Sequence, residues 1–319
     1  MTTKMILDCD PGVDDTMALM YAALHPDIEL MAVGTVWGNV DVATATRNAI
    51  HTLEMIDAAH VPVAPGAAQP LRGTEPQYGY FVHGDDGQGN AYDGEPVGPA
   101  TTTTAPQQLI DIARAHPGQA WLVAVGPLTN IAVALALEPE LPRLVAGISI
   151  MGGSALAPGN ATPVAEANIW HDTEAASAVF GADWTIIMAG LDATMKVLIT
   201  PKRRAVLDGG GKAAQYLSRI LQFYGEFCAK TFGAWNATMH DTIAVAAAAG
   251  TITVNEGPVA HVEIDCSDGP SRGATVCDLR GNYAGYPPQD GAHCTVLLDI
   301  DDAIADDVVA LIAAHRRAD

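Results

Sequence analysis

Apolar and polar positions alternate along this chain in long blocks. "KMILDC" at 4–9, "IELMAVGTVW" at 28–37 and "AWLVAV" at 120–125 are near-continuous apolar runs of strand length, the pattern of strands buried on both faces. Each leads into a stretch of helical periodicity: Asp14 to His25, Asp41 to Asp57, and "GPLTNIAVALAL". "HVPVAP" reads as a short third strand, "LVAGISIMGG" as a strand ending in a glycine turn, and "WTIIMAG" as a further strand. The segment "SALAPGNATPVAEANIWHD" reads as a polar loop, with a helix from Thr173 after it and more helices near 201–208, 212–231 and 240–249. The last third carries short strands, "AHVEIDC", "GATVCDL" and "HCTVLLDI", and closes on a helix from Asp302. Residues 66–104 are rich in Gly, Pro and Thr without periodicity, too long for an ordinary connection and so a candidate functional loop. Strands alternating with helices predict an α/β fold with a mainly parallel sheet flanked by helices. In open sheets of this kind ligands bind at the carboxyl ends of the strands.

Composition narrows the picture. The 319 residues are 49% hydrophobic and 17% charged, enough for one large core. No internal repeat or linker-like stretch divides the chain, so one domain over 1–319 is expected. Sixteen basic against 37 acidic residues give a net charge of −21, which disfavours nucleic acid and anionic membrane surfaces as partners. There is no basic-then-apolar leader and no apolar run near the length of a membrane span, so a cytoplasmic location is expected. The five cysteines are scattered and never form a C-x-x-C pair, which indicates neither a disulfide framework nor a zinc knuckle.

The candidate chemistry sits where strands end. "DCDPGVDD" at 8–15 places Asp8, Asp10, Asp14 and Asp15 after the first strand. Asp14 and Asp15 could simply complement a helix dipole, but Asp8 and Asp10 beside them are then unexplained, because like charges this close repel. A hard divalent cation such as Ca²⁺ takes six to eight oxygen ligands in loose geometry, and Pro11 and Gly12 supply a turn that aims several side chains at one point. The spacing is not that of an EF-hand loop. "WGNV" follows the second strand, "VGPLTN" the "AWLVAV" strand, "GNATPVAEAN" the "ISIMGG" strand, and "MHDT" opens a late helix. Five polar clusters on one rim point to one site. The acids Asp299, Asp301, Asp302, Asp306 and Asp307 could suggest a second metal site but fit no ligand spacing and read as a solvated helix start.

Taken together, "DCDPGVDD", "GNV" at 38–40, "HG" at 83–84, "GPLTN" at 126–130, "MGG" at 151–153, "GNATPVAEAN", "HD" at 240–241 and, further on, "RGATVCD" make the chain resemble the inosine–uridine-preferring nucleoside hydrolases over nearly its whole length. The resemblance implies a Rossmann-like open sheet with a tightly held Ca²⁺ at its C-terminal rim, hydrolysis of the N-glycosidic bond of ribonucleosides, and a homo-oligomer, dimer or tetramer. It implies that Asp10, Asp15, Asp241 and the Val125 carbonyl hold the metal, with the ribose 2′ and 3′ hydroxyls completing the shell and one water facing the anomeric carbon. Asp10 would be both ligand and general base. Asp14, Asn39, Glu166 and Asn168 would bond the diol, and Asn160 with Glu166 the 5′ hydroxyl. A histidine titrates near neutrality, which suits His240 to protonating the departing base, and His83 would face that base.

The chain departs from the family pattern at two places. The loop reads "HGDDGQG" where a leucine usually follows the second glycine, putting glutamine at 88. Position 167 is alanine where an aromatic is usual, so the base pocket is expected to be roomier or filled by another side chain, for which Trp235 is the candidate. Two other classes compete with this reading. A haloacid-dehalogenase-like phosphatase fails on Gly12, two residues after the second Asp, and on the lack of a well-placed Lys. A ribose or nucleoside sensor without turnover sits poorly with an intact Asp10 and His240. The preferred base is open on this reading.

Overall fold

The computed structural model describes residues 2–287, 289 and 291–316. Strand β1 (Thr3–Cys9) leads through a tight turn into helix α1 (Val13–Leu24). β2 (Ile28–Thr35) is followed by α2 (Val42–Met55), which Asp41 caps by accepting from the Ala43 and Thr44 amides. β3 (Val63–Pro65), β4 (Ala120–Ala124), β5 (Gly147–Met151) and β6 (Ile186–Ala189) complete the parallel part of the sheet. The order across it is β3-β2-β1-β4-β5-β6, then Cys294–Val296, parallel to β6, and Val259–Ala260 as an antiparallel edge.

The near-continuous apolar runs have the physical cause expected of them. Met5, Leu7 and Cys9 of β1, with Val33, Val123 and Ala189, enter a core shared with α1 and the helices Lys212–Phe232, Asp241–Ala249 and Ile304–Ala314. Ile6, with Ala32, Leu122, Ile148 and Ile186, points the other way, into a core closed by the helices Ala105–Ala115, Thr129–Leu137 and Thr173–Phe180. Helices on both faces leave a strand no solvent side, so alternation disappears from its sequence.

The strand order reverses between β1 and β4, because chain connections leave β1 toward β2 on one side and reach β4 on the other. A crevice therefore opens at the carboxyl ends of these two strands, and the segments leaving them are 10–15 and 125–130. The long segment 66–104 holds one helical turn, Tyr80–His83. A second short helix, Ala167–His171, lies inside the stretch expected to be loop, with Glu166 as its cap. The C-terminal acids lie beside basic side chains: Arg203 pairs with Asp302 and Asp306, and Lys196 with Asp299. No described helix is long and apolar enough to cross a membrane.

Candidate active site

The turn after β1 is held from both sides. Asp15, in the first turn of α1, accepts hydrogen bonds from the Asp10 amide at 3.1 Å and the Gly12 amide at 3.0 Å. The Asn39 amide donates to Asp10 Oδ2 at 2.6 Å, and Asn39 Nδ2 to Asp15 Oδ2 at 2.9 Å. A Cβ at Gly38 or at Gly126 would strike the Asp10 carboxylate, so both glycines are needed for the chain to close around it. Asp10, Asp14, Asp15 and Asp241 are at most 5% exposed.

Four carboxyl groups in one buried place perturb each other. Burial, with the neighbouring Asp15 carboxylate, holds Asp10 and Asp14 well above the usual carboxylate range. Burial and the charges of Asp14, Asp15 and Asp10 do the same to Asp241. Asp15 is raised by burial but pulled back by the Gly12 and Asp10 amides. Carboxylate oxygens of Asp14, Asp15 and Asp241 come within 4.8 Å of one another. Asp10 Oδ1 and Asp14 Oδ1 are buried without a hydrogen-bond partner. Buried carboxylates packed this closely, two of them with an unpartnered oxygen, fit a hard cation, which would offset their repulsion.

The convergent trio differs from the expected ligand set. Asp14 belongs to it, whereas Asp10 is drawn to the Asn39 amide and lies against Gly126. The Val125 carbonyl, at the end of β4, accepts from Asn168 Nδ2 at 2.8 Å, and a carbonyl keeps a second lone pair.

Above this floor is a cavity of about 690 Å³. Asp14, Asn39, His83, Val125, Asn160, Glu166, Asn168, His240 and Asp241 line it, so the structure gathers residues from the predicted motifs other than "RGATVCD". Glu166 caps its short helix by accepting from the Asn168 and Ile169 amides, and it also accepts from the Gly153 amide at 3.0 Å. Asn160 Oδ1 accepts from the Ala167 amide at 2.9 Å. Both histidines are held neutral. Burial, with His240 nearby, lowers His83 to about 3, and burial lowers His240 to about 4. The Val13 amide donates to His83 Nδ1 at 3.2 Å, which leaves Nε2 to carry the proton. His240 Nδ1 lies 2.8 Å from the Thr194 hydroxyl.

Trp235 is not brought to the cavity. Its ring packs on the bare backbone of Gly225, with the Arg204 guanidinium 5.4 Å from its centroid. The aromatic wall is built instead by Phe81, Tyr224, Phe227, Phe232 and Trp170. Phe81 meets Phe227 edge to face at 5.9 Å, and Tyr224 stacks on Phe227 at 6.4 Å. Ala167 faces the cavity as a small residue, and Trp170, three positions on, supplies an aromatic ring. The sequence signal for this wall was the spacing Tyr224, Phe227, Phe232 on one amphipathic helix, which core packing would produce equally well.

Comparison with known proteins places the chain in a family. Residues 5–307 match the family model described as inosine-uridine preferring nucleoside hydrolase. The chain belongs to that family. It is accordingly a hydrolase acting on N-glycosyl compounds. A probable uridine nucleosidase of Arabidopsis thaliana is 38% identical over 86% of this chain and 85% of its own length. The inosine-uridine preferring nucleoside hydrolase of Leishmania major is 37% identical over 94% of both chains. Among solved structures, a plant nucleoside hydrolase superposes with a TM-score of 0.90, at 32% identity, over 98% of this chain and all of that one.

Proposed function

We propose that this nucleoside hydrolase cleaves the N-glycosidic bond of ribonucleosides, uridine and inosine among them, with Ca²⁺ held by the buried acids. The observation that carries the reading is the convergence of the buried Asp14, Asp15 and Asp241 carboxylates, with Asp10 and Asp14 each keeping an unpartnered oxygen, under a cavity whose far wall is aromatic and whose flank holds two neutral histidines. The names of the Arabidopsis and Leishmania relatives support the choice of bases.

Asp15 and Asp241, with Asp14 or Asp10 and the Val125 carbonyl, are the residues that would hold the cation. When bound, the cation would offset their charge, contact the ribose diol and make a water in its shell more acidic. Asp10 takes the proton of the attacking water; its Oδ1 is unpartnered, and Asn39, Gly38 and Gly126 fix its position. On this reading Asp14, Asn39, Glu166 and Asn168, which line the cavity, bond the ribose diol, and Asn160 with Glu166 the 5′ hydroxyl. A ring of acids and amides also suits the positive charge that develops on the ribosyl group as the bond lengthens. His83 and His240 face the base, which slots against Phe227 and Tyr224. On this reading the Thr194 hydroxyl, 2.8 Å from Nδ1, acts as the donor, and His240 offers its Nε2 hydrogen to the departing ring. A reducing, cytoplasmic setting suits the five free thiols, and the homo-oligomer rests on the family resemblance.

The test is a panel of ribonucleosides assayed for free ribose, with and without a strong chelator. Uridine and inosine should release ribose, chelation should abolish turnover, and added Ca²⁺ should restore it. Full activity in metal-free protein, or intact binding without release of ribose, overturns the reading.

A further inference from the structure

Gln88 stands in the loop after His83, where the family pattern led to leucine, and its side chain is 1% exposed. The loop is built to send it inward. Gly84, Gly87 and Gly89 adopt positive φ, and the Asp86 carboxylate gathers the amides of Gln88, Asn90 and Tyr92 at 2.7 to 3.0 Å. At Gly87 a Cβ would also press on the Pro11 carbonyl.

The amide of Gln88 enters a hydrogen-bond chain in which each hydrogen has a use. The Tyr216 hydroxyl donates to Gln88 Oε1 at 3.0 Å. Gln88 Nε2 donates to Thr16 Oγ1 at 3.0 Å, and the Thr16 hydroxyl donates to the Gly12 carbonyl at 2.7 Å. The second Nε2 hydrogen is shared among the carbonyls of Gly87 at 2.9 Å, Gly12 at 3.2 Å and Pro11 at 3.4 Å. Asn48 Nδ2 supports the Pro11 carbonyl from another side at 3.0 Å.

The Pro11 and Gly12 carbonyls have counterparts across their peptide planes. A peptide unit is rigid and planar, so fixing the Pro11 carbonyl fixes the Gly12 N–H, which donates to Asp15. Fixing the Gly12 carbonyl fixes the Val13 N–H, which donates to His83 Nδ1 and so sets the tautomer of that ring. Gln88 touches neither the cavity nor these acids, yet its amide meets the carbonyl of both peptide planes that orient them, beside Asn48 at Pro11 and Thr16 at Gly12.

We propose that Gln88 is a positioning residue for this site, holding the Pro11 and Gly12 peptides so that Asp15 faces the cation and His83 keeps its proton on Nε2. The inference rests on the metal-dependent reading above. Partners of metal ligands at one remove typically alter metal affinity by about 10- to 100-fold, and an indirect contact through backbone belongs at the lower end.

The test uses the full-length protein, with Ca²⁺ alone titrated by calorimetry and kcat on uridine followed against Ca²⁺ concentration. Gln88→Leu should weaken Ca²⁺ binding about ten-fold, and saturating Ca²⁺ should recover most of the lost kcat. The leucine also strands the Tyr216 hydroxyl, so the double variant Gln88→Leu/Tyr216→Phe should regain melting temperature but not Ca²⁺ affinity. Should Gln88→Leu fail to fold, the double variant carries the same comparison. Ca²⁺ affinity within twofold of wild type, alongside a lowered melting temperature, would overturn the inference and leave Gln88 a packing residue. A wild type that binds no Ca²⁺ would remove the metal-dependent reading and this inference with it.

Discussion

The contact between Thr194 and His240 makes the leaving-group step testable apart from the rest of the reaction. Thr194 is fully buried and its hydroxyl lies 2.8 Å from His240 Nδ1. Valine fills the same volume without a donor, and at a buried position water cannot replace the hydroxyl readily. One net hydrogen bond is worth about 1 kcal/mol, so Thr194→Val should slow kcat on uridine and inosine by about five-fold as the Nδ1–H tautomer becomes competitive. His240→Ala removes the donor itself, and general acid groups contribute at least about 10². Departing bases carry negative charge that this hydrogen relieves, whereas 4-nitrophenolate leaves unaided. Both variants should therefore keep near-wild-type kcat on 4-nitrophenyl riboside. Equal losses on nucleoside and nitrophenyl substrates would refute the assignment and place His240 in binding or structure. The structure alters one premise: burial holds His240 at about 4, so at neutral pH the hydrogen comes from a neutral ring.

Two further outcomes follow from the buried polar groups. A site whose acids and amides are satisfied by the ribose diol should reject 2′-deoxyuridine by something on the order of 10⁴ in kcat/KM, and comparable constants for the two nucleosides would displace the diol from Asp14 and Asn168. His171, held by burial at about 4 against its ordinary 6.5, favours the fold fully above 6.5 and loses that contribution as pH falls toward 4, about 3 kcal/mol in all. Acid unfolding followed by circular dichroism should be milder in His171→Gln than in wild type, and parallel acid losses would show that His171 charges freely in the folded protein.

The fold was legible where one physical demand dominates. A strand covered on both faces must be apolar throughout, so β1, β2 and β4 announced themselves as runs, and the helices between them followed from periodicity. Short elements carry too few residues to show a period. Ala167–His171 is five residues long and sits among Gly, Pro and Asn; its cap, Glu166, read equally as a solvated acid or a substrate ligand. Val254–Glu256 is exposed at every position, and a strand without a buried face leaves no hydrophobic mark. Element ends moved for local reasons: α1 starts at Val13 because the Gly12 amide is taken by Asp15, one residue before the first acid.

The site was legible to the extent that its chemistry is costly without a ligand. Acids crowded at the end of a strand ask for a cation, so spacing pointed to Asp10, Asp14 and Asp15, while Asp241 and the ligand roles came only with the family resemblance, and Asp8 is bonded to Asn130 instead. An aromatic ring has no such demand, since core and pocket accept it alike. Trp235 was chosen for lying five residues before His240, but a helix ends between the pocket's aromatics and that tryptophan, and Gly233 in a left-handed conformation redirects the chain. Tyr224 and Phe227 reach the cavity because the helix axis, not the sequence distance, sets what they meet. Gln88 is a third case: an amide where a leucine was expected is a mild anomaly in sequence, and its meaning lies in which carbonyls it meets. Pro11 and Gly12 expose their oxygens on the side of the turn away from the acids, so any residue that governs the acids through those peptides must sit outside the cavity. Such residues cannot be found by searching for groups that touch substrate. They are found by asking where each buried backbone oxygen of the catalytic turn obtains its hydrogen bond.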